Sequence, residues 1–247
     1  MDEPIATPPV HLLSGAHASV ARPDVFVVVP AYNEGAALGG VLAELTRLPY
    51  RIIVVDDGST DDTGAQARRF GVCVLRHLWN LGQGAALQTG FSYALRQPET
   101  KVLVTFDADG QHSVDDVARL VDSLESDQLD VVLGSRFADG AAAIDLQVTR
   151  RITLQLAIAF TKLTTGLRLT DTHNGMRAFT AAAIQKLTIT QNRMAHASEI
   201  LSRVAQLGLR YREVPVTVRY TNYSAAKGQG GLNAVAILWD IAMSRIR

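Results

Sequence analysis

The sequence lacks several features that would assign it to a specialised class. Its one cysteine, Cys73, lies in an apolar run at 72–75, which excludes an internal disulfide and favours a core residue in a reducing compartment over a nucleophile. There is no apolar run of about 18 residues or more, and no cationic, apolar leader, so neither a membrane span nor a signal peptide is predicted. Lys plus Arg and Asp plus Glu both total 24, and this balance does not indicate nucleic acid binding. We expect a cytoplasmic protein with at most peripheral membrane contact.

Short apolar runs alternate with helical segments through the first half of the chain. Strands are predicted over 25–29, 51–55, 72–75, 101–106 and 131–133, with helices near 36–46, 64–70, 84–96 and 115–126. Continuous Val- and Ile-rich strands separated by helices are typical of an α/β fold with a mostly parallel sheet covered on both faces.

The remaining segments set the expected domain limits. Residues 1–23 contain four prolines and are predicted to be a flexible extension. Residues 24–247 are expected to form a single domain, since this length suits one sizeable hydrophobic core. The second half is more helical and then returns to an alternating strand at 213–220.

Two carboxylates follow the fourth predicted strand directly. Asp107 and Asp109 are one residue apart at the carboxyl end of that strand, where open α/β sheets bind their ligands. Such a pair can bind a hard cation such as Mg²⁺ or Mn²⁺, which prefers oxygen ligands and often shares its shell with phosphate. An ordinary Asp-Gly turn is the alternative reading of the same residues.

Polar side chains also follow the first two predicted strands. Tyr32 and Glu34 come after the first strand, and Asp56 follows the second. An aromatic ring can stack on a nucleobase while a carboxylate accepts from the base N–H, although a turn with a helix cap would explain the second segment equally well. The two glycines in 80–86 let backbone amides approach a phosphate, but a dinucleotide fingerprint would need a third glycine.

Taken in order, these segments resemble the family 2 glycosyltransferases of the GT-A fold, in particular the branch that includes dolichyl- and polyprenyl-phosphate sugar synthases. The resemblance covers residues 25–228 and rests on the segments VVVPAYNE (27–34), IIVVDDGSTDDT (52–63), NLGQGAAL (80–87), DADGQH (107–112), GSRF (134–137), DTHNGMRAF (171–179) and EVPVTVRY (213–220).

The resemblance implies two sets of donor-side residues. A nucleoside-diphosphate sugar would be bound by Pro30, Tyr32, Glu34, Asp56, Asp57, Gln83, Asp107 and Asp109. A Mg²⁺ or Mn²⁺ ion would be held by Asp107, Asp109 and Gln111, with the diphosphate bound through it. Gln83 departs from the family pattern, because members of this branch often have Lys or Arg at that position.

The resemblance also implies a basic acceptor side. The residues expected near an acceptor phosphate are Arg136, Arg150, Arg151, Arg177 and Lys227, although the loop around Lys227 matches the family only loosely. Arginine suits phosphate because its planar fork donates two hydrogen bonds together. A solvated basic face is the alternative for these arginines, and His112 and His173 could be catalytic or simply structural.

The expected reaction is metal-dependent inverting transfer to a polyprenyl phosphate, with Asp109 and Arg136 as catalytic residues. A hydroxyl acceptor would instead need a general base, for which Glu199 is the candidate, although it could equally be a helix-surface or capping residue. A third reading is a sugar-nucleotide-binding subunit that works through a membrane partner. The apolar segments 151–163 and 232–246 could contact a membrane, the protein core or another subunit, and an oligomer stays open.

Overall fold

The computed structural model of this chain describes residues 10–14, 21–138, 142–144, 158–159, 161–192 and 195–219. The elements in chain order are β1 (Val10–Ser14), β2 (Arg22–Ala31), α1 (Gly35–Leu45), β3 (Tyr50–Asp56), α2 (Thr63–Arg68), β4 (Cys73–His77), α3 (Gln83–Ala94), β5 (Val102–Thr105), α4 (Asp115–Ser126), β6 (Val131–Ser135), β7 (Ala142–Ile144), β8 (Arg177–Thr180), α5 (Ala181–Lys186), α6 (His196–Gln206), β9 (Tyr211–Pro215) and β10 (Thr217–Arg219).

The central sheet has eight strands in the order β1-β4-β3-β2-β5-β8-β6-β9. Strands β4, β3, β2 and β5 are mutually parallel, and β6 is parallel to β9. Strand β8 runs antiparallel to both of its neighbours, β5 and β6, and β1 pairs antiparallel with β4. A separate pair joins β10 to β7 in parallel.

Helices cover both faces of this sheet because its central strands are apolar on both sides. Along β2, Val25, Val27 and Val29 enter one buried cluster, which also takes in residues of α1, α2 and α4. The intervening Phe26 and Val28 enter a second cluster, with residues of α3, α5 and α6. This two-sided burial is why the strands read as unbroken apolar runs in the sequence.

The predicted α/β architecture with a mostly parallel sheet is confirmed, and one segment departs from the prediction. Within the sheet, β8 inserts antiparallel between β5 and β6. The segment predicted to be a flexible extension also contains β1, whose Val10 pairs with His77 of β4. Strand pairing across the sheet orders both short segments, and neither has a strong apolar period of its own.

The strand directions bring several loops to one edge of the sheet. The carboxyl ends of β2, β3 and β5 meet there, as parallel strands require. Because β8 is antiparallel, it begins at that same edge, with Arg177 paired to Thr105 of β5 and to Leu133 of β6. None of the helices in the described part of the chain is long and apolar enough to cross a membrane.

Candidate active site

The loops that follow β2 and β3 are locked together. The backbone N–H of Asn33 donates to the Ser59 hydroxyl at 3.0 Å, and the N–H of Thr60 donates to Asn33 Oδ1 at 2.8 Å. The N–H of Glu34 donates to Thr63 Oγ1 at 2.8 Å. Asn33 has a φ of 53°, which its short polar side chain tolerates. The two loops therefore form one fixed wall at the β2–β3 end of the site.

Tyr32 is the open aromatic group of this wall. Its side chain is 41% exposed, whereas Pro30 is buried within β2. Of these two predicted nucleotide-binding residues, Tyr32 is therefore the one whose side chain is open to a ligand. Glu34 lies toward the middle of the site, since its charge contributes to raising the pKa of Asp109.

Asp56 keeps one buried carboxylate oxygen without a hydrogen bond. Its Oδ1 accepts from the N–H of Ser59 at 2.9 Å. No described residue donates a hydrogen bond to its Oδ2, and the nearest cation is the Arg76 Nε at 3.6 Å. Buried polar atoms in folded proteins are normally paired, so this oxygen is suited to accept an N–H from a ligand.

The contacts of Asp57 give no support to direct nucleotide binding. Its Oδ1 contacts the His77 ring at 2.6 Å and accepts from the N–H of Leu81 at 2.9 Å, while Oδ2 accepts from the N–H of Gly82 at 2.7 Å. His77 in turn contacts the Thr89 hydroxyl. Internal partners engage both oxygens, so Asp57 fixes the glycine turn before α3.

Asp107 lies at the centre of the site and is held by neighbours from three segments. The Gln83 amide donates to its Oδ1 at 3.0 Å, and His112 Nε2 contacts its Oδ2 at 3.2 Å. A Cβ atom on Gly175 would come within 2.1 Å of Oδ2. Burial raises the pKa of Asp107, but His112 and the positive charges around it outweigh burial and hold the pKa below its usual value. Asp107 is thus an anion fixed in position.

The pKa of Asp109 is shifted in the opposite direction to that of Asp107. Burial and the negative charge of Asp107 raise its pKa to about 6. Its Oδ1 accepts from the backbone N–H of Gln111 at 3.0 Å. Two adjacent carboxylates that resist joint ionisation form a site with excess negative charge, which a cation would relieve.

The donor set at this point fits Mg²⁺ or Mn²⁺. Asp107 and Asp109 offer carboxylate oxygens, and Gln111, whose backbone N–H donates to Asp109, carries an amide; oxygens of these two types are the ligands that such ions prefer. Within the described ranges, no three His, Cys, Asp or Glu side chains form a metal-binding group.

Arg136 is not arranged as a phosphate ligand. Its Nε donates to Asp171 Oδ2 at 2.6 Å and its Nη2 donates to Oδ1 at 2.7 Å, and both side chains are buried. The backbone N–H of Arg136 also donates to Asp171. This bidentate pair corrects the prediction that Arg136 acts on the acceptor, because its fork already holds a carboxylate of the same chain.

Arg177 is the predicted acceptor residue that the structure leaves available. It is 4% exposed, and its Nε donates to the backbone carbonyl of Asn174 at 3.2 Å. Among the described residues no carboxylate lies within ion-pair distance of it. Burial lowers the pKa of Arg177 to about 10, although the negative charges of Asp107 and Asp171 act to raise it.

The carboxylate of Glu199 accepts hydrogen bonds from a neighbouring loop and does not have the contacts of a general base. Its oxygens accept from the backbone N–H groups of Thr190 and Gln191 at 2.8–3.0 Å and from the Thr190 hydroxyl. These contacts support the capping alternative for Glu199 over the catalytic one. The predicted residues Arg150, Arg151 and Lys227, the segment 232–246 and most of 151–163 lie outside the described residues.

Some residues of the site were missed in the sequence. Gly175 lies in a recognised segment, yet its closeness to Asp107 joins positions far apart in the chain. Asn174, in the same segment, accepts a hydrogen bond from Arg177 three residues later through its backbone carbonyl, a contact that its residue type does not indicate. His77 lies in β4, and nothing in its local sequence indicates a contact with Asp57. His112, for which the sequence leaves a catalytic and a structural role open, contacts Asp107.

Comparison with known proteins agrees with this arrangement. Residues 26–188 match the model of the family described as Glycosyl transferase family 2. The chain belongs to the family 2 glycosyltransferases. The match spans the strand ends that carry Tyr32, Asp56, Asp107 and Arg177.

This family 2 glycosyltransferase has relatives that are similar over nearly their whole length. It is 30% identical to the UDP-N-acetylglucosamine–dolichyl-phosphate N-acetylglucosaminyltransferase of Methanococcus voltae, covering 90% of this chain and 96% of that one. It is also 30% identical to the undecaprenyl-phosphate mannosyltransferase of Micrococcus luteus, covering 88% and 94%.

A solved structure supports the fold assignment. The mannosyl-3-phosphoglycerate synthase of Rubrobacter xylanophilus superposes with a TM-score of 0.64 at 16% identity, covering 91% of this chain and 73% of that chain. At this identity the likeness concerns the fold alone. The GT-A fold predicted for this glycosyltransferase is confirmed.

Proposed function

We propose that this glycosyltransferase moves a sugar from a nucleoside-diphosphate sugar to a polyprenyl phosphate, with inversion at the anomeric carbon. The observation that carries the proposal is the buried guanidinium of Arg177, which has no carboxylate within ion-pair distance in the described chain. It lies across β5 from Tyr32 and Asp56. An anion is expected to bind there, and the names of the two curated relatives indicate a lipid phosphate.

The donor nucleoside would occupy the wall formed by the loops after β2 and β3. The exposed Tyr32 ring offers a face for stacking on the base. Asp56 Oδ2, which has no hydrogen-bond donor among the described residues, would accept an N–H of the base. These two contacts would place the diphosphate toward the carboxylates that follow β5.

The leaving diphosphate would face Asp107 and Asp109. A Mg²⁺ or Mn²⁺ ion held by these residues and Gln111 would neutralise the negative charge that grows on the diphosphate as the glycosidic bond breaks. Gln83 and His112 hold Asp107 in place from opposite sides. Gln83 is neutral where relatives often carry a cation, so it positions Asp107 and adds no charge of its own.

The acceptor phosphate would act as a nucleophile that is already ionised. The second pKa of a phosphate monoester is about 6, so at pH 7 it needs positioning more than deprotonation. Its oxygen would form the new bond to the anomeric carbon while the bond to the diphosphate breaks, and a single displacement inverts that carbon. Since the backbone of 190–191 engages Glu199, the site favours this acceptor over a hydroxyl group.

A polyprenyl acceptor would bring the protein to a membrane surface. Leu163 is 87% exposed in a helical stretch at 161–165 and follows Lys162. An apolar side chain beside a cationic one suits a membrane interface. We therefore include peripheral membrane contact in the proposal.

One assay tests the proposed reaction. Purified protein would be incubated with Mn²⁺ or Mg²⁺, a panel of UDP-, GDP- and dTDP-sugars, and either farnesyl phosphate or farnesol. The expected product is a lipid-linked sugar that forms with the phosphate and not with the alcohol, with the opposite anomeric configuration to the donor. Equal transfer to farnesol or to a saccharide would contradict the proposal.

A further inference from the structure

The segment that precedes β8 is clamped to the protein at its start. Glu213 of β9 accepts from the backbone N–H groups of Thr170 and Asp171 at 2.8–2.9 Å. The Asp171 side chain is held by the buried fork of Arg136 and accepts from the backbone N–H of His173 at 3.2 Å. These contacts fix the position of the residues that follow, 174–177, in the absence of a substrate.

Two side-chain donors are left over in this clamped segment. The Oδ1 of Asn174 accepts from the N–H of Met176 at 2.9 Å, while Asn174 Nδ2 is buried without a hydrogen-bond partner among the described residues. The contact with the N–H of Met176 fixes which side-chain atom of Asn174 is the oxygen, because the flipped amide would place its amino group against that N–H. The other group is the guanidinium of Arg177, whose Nε donates to the Asn174 carbonyl and which has no ion pair with a carboxylate of the described residues.

Both donors lie beside the proposed reaction centre. Asn174 and Arg177 flank Gly175, and the position of a Gly175 Cβ would be 2.1 Å from Asp107 Oδ2. Arg177 is also paired with Thr105, two residues before Asp107. Since β8 lies on the opposite side of β5 from β2 and β3, the segment that carries these donors lies on the side of the carboxylates away from the nucleoside wall.

We propose that the Asn174 amide and the Arg177 guanidinium together form the subsite for the acceptor's phosphate monoester, with Asn174 as the residue that makes the subsite specific for an anion. The assignment rests on the proposed function, which it deepens. A buried amide donor without a hydrogen-bond partner has an energetic cost, and the buried guanidinium of Arg177 has no carboxylate of the described residues beside it as an ion-pair partner. One phosphate group with several acceptor oxygens would satisfy both. The subsite holds donors only, so a neutral hydroxyl that must also give up a proton is matched less well.

The test separates acceptor binding from donor binding. Asn174→Asp keeps the oxygen that accepts from Met176 and replaces only the unused amino group with a second oxygen. The new carboxylate would pair with Arg177 and repel a phosphate, while the fold keeps its contacts. Arg177→Gln provides a second variant, and Arg210→Gln is the matched control, because Arg210 is an exposed arginine paired with Asp130 on the surface.

The measurements are affinities for farnesyl phosphate, inorganic phosphate and farnesol without donor, together with affinities for UDP and GDP. In Asn174→Asp and Arg177→Gln the affinity for farnesyl phosphate should fall by about tenfold or more, the loss expected for a hydrogen bond to a charged group. Farnesol binding and nucleotide affinity should stay within about twofold of the wild type, as should every affinity of Arg210→Gln.

Each alternative outcome is decisive. An unchanged affinity for farnesyl phosphate in Asn174→Asp would overturn the subsite, and so would an equal loss of UDP or GDP affinity, which would assign these donors to the leaving diphosphate. If the wild type makes no lipid-linked sugar yet binds phosphate in a way that depends on Asn174, the proposed reaction fails while the anion subsite stands.

Discussion

Replacing Gly175 with alanine should disable the site while leaving the fold in place. The added Cβ would come within 2.1 Å of Asp107 Oδ2 and 2.7 Å of its Oδ1 and Cγ. An ordinary contact begins near 3.4 Å, so the carboxylate would have to retreat by about 1.3 Å, the difference between that value and 2.1 Å. Asp107 cannot move this far and keep its contacts with Gln83 and His112, at 3.0 and 3.2 Å.

The expected loss follows from this displacement. Moving a catalytic group by about 1 Å can lower the rate by about a hundredfold, and overpacking destabilises a protein by about 1–3 kcal/mol. The assay is kcat/KM for sugar transfer to farnesyl phosphate, with thermal unfolding measured on the same samples. We expect Gly175→Ala to lose about a hundredfold in kcat/KM while retaining a cooperative unfolding transition.

A second glycine serves as the control. Gly40 is exposed in α1, and a Cβ there would meet nothing within 4 Å. Gly40→Ala should keep full activity and gain about 0.5–1 kcal/mol, since alanine is the better helix former. If Gly175→Ala retained the activity of Gly40→Ala, Asp107 would not need its observed position and our account of the site would be refuted.

Three further predictions concern carboxylates. Asp109→Asn should abolish turnover, yet it should stabilise the fold by about 1–2 kcal/mol at pH 7. The reason is that the pKa of Asp109 is raised from 3.8 to about 6 in the folded protein. The carboxyl group therefore favours folding at low pH, and this contribution is lost as the pH rises through 6. The gain should vanish below about pH 4 in urea titrations, and a gain that persisted there would refute the explanation by burial and the charge of Asp107. Glu199→Gln should lower the melting temperature with kcat kept within about threefold, whereas a loss of a hundredfold or more would identify a general base. Asp57→Asn should cost about 1–3 kcal/mol in urea unfolding, because the amide's new amino group would face N–H donors; unchanged stability would count against the role of Asp57 in fixing the glycine turn.

The sequence predicted the parts of this fold in which local pattern and tertiary environment agree. Helix α4 begins and ends where its composition indicates, at Asp115 and Ser126. Strands β2 and β3 are continuous apolar runs because both of their faces are buried, and such runs are recognisable without knowledge of their neighbours. Strand β8 was missed, because a short segment that begins with a buried arginine lacks that pattern.

The same division applies to the candidate site. Asp56, Asp107 and Asp109 could be located from the sequence because each follows a strand, and parallel strands bring such positions to one edge of the sheet. The roles of Arg136 and Arg177 could not be told apart, since both are arginines in recognised segments. What separates them is that Arg136 forms an ion pair with Asp171, whereas Arg177 has no carboxylate of the described residues within ion-pair distance and donates to a backbone carbonyl.

The sequence alone thus determined the family, the alternation of strands and helices over residues 25–133, and which carboxylates stand at the strand ends. These follow from residue type and spacing, which act over a few positions along the chain. Only the tertiary structure decided which charged groups are already engaged and which remain for a substrate. Burial and pairing depend on residues such as Arg136 and Asp171, 35 positions apart, and no local pattern records contacts at that separation.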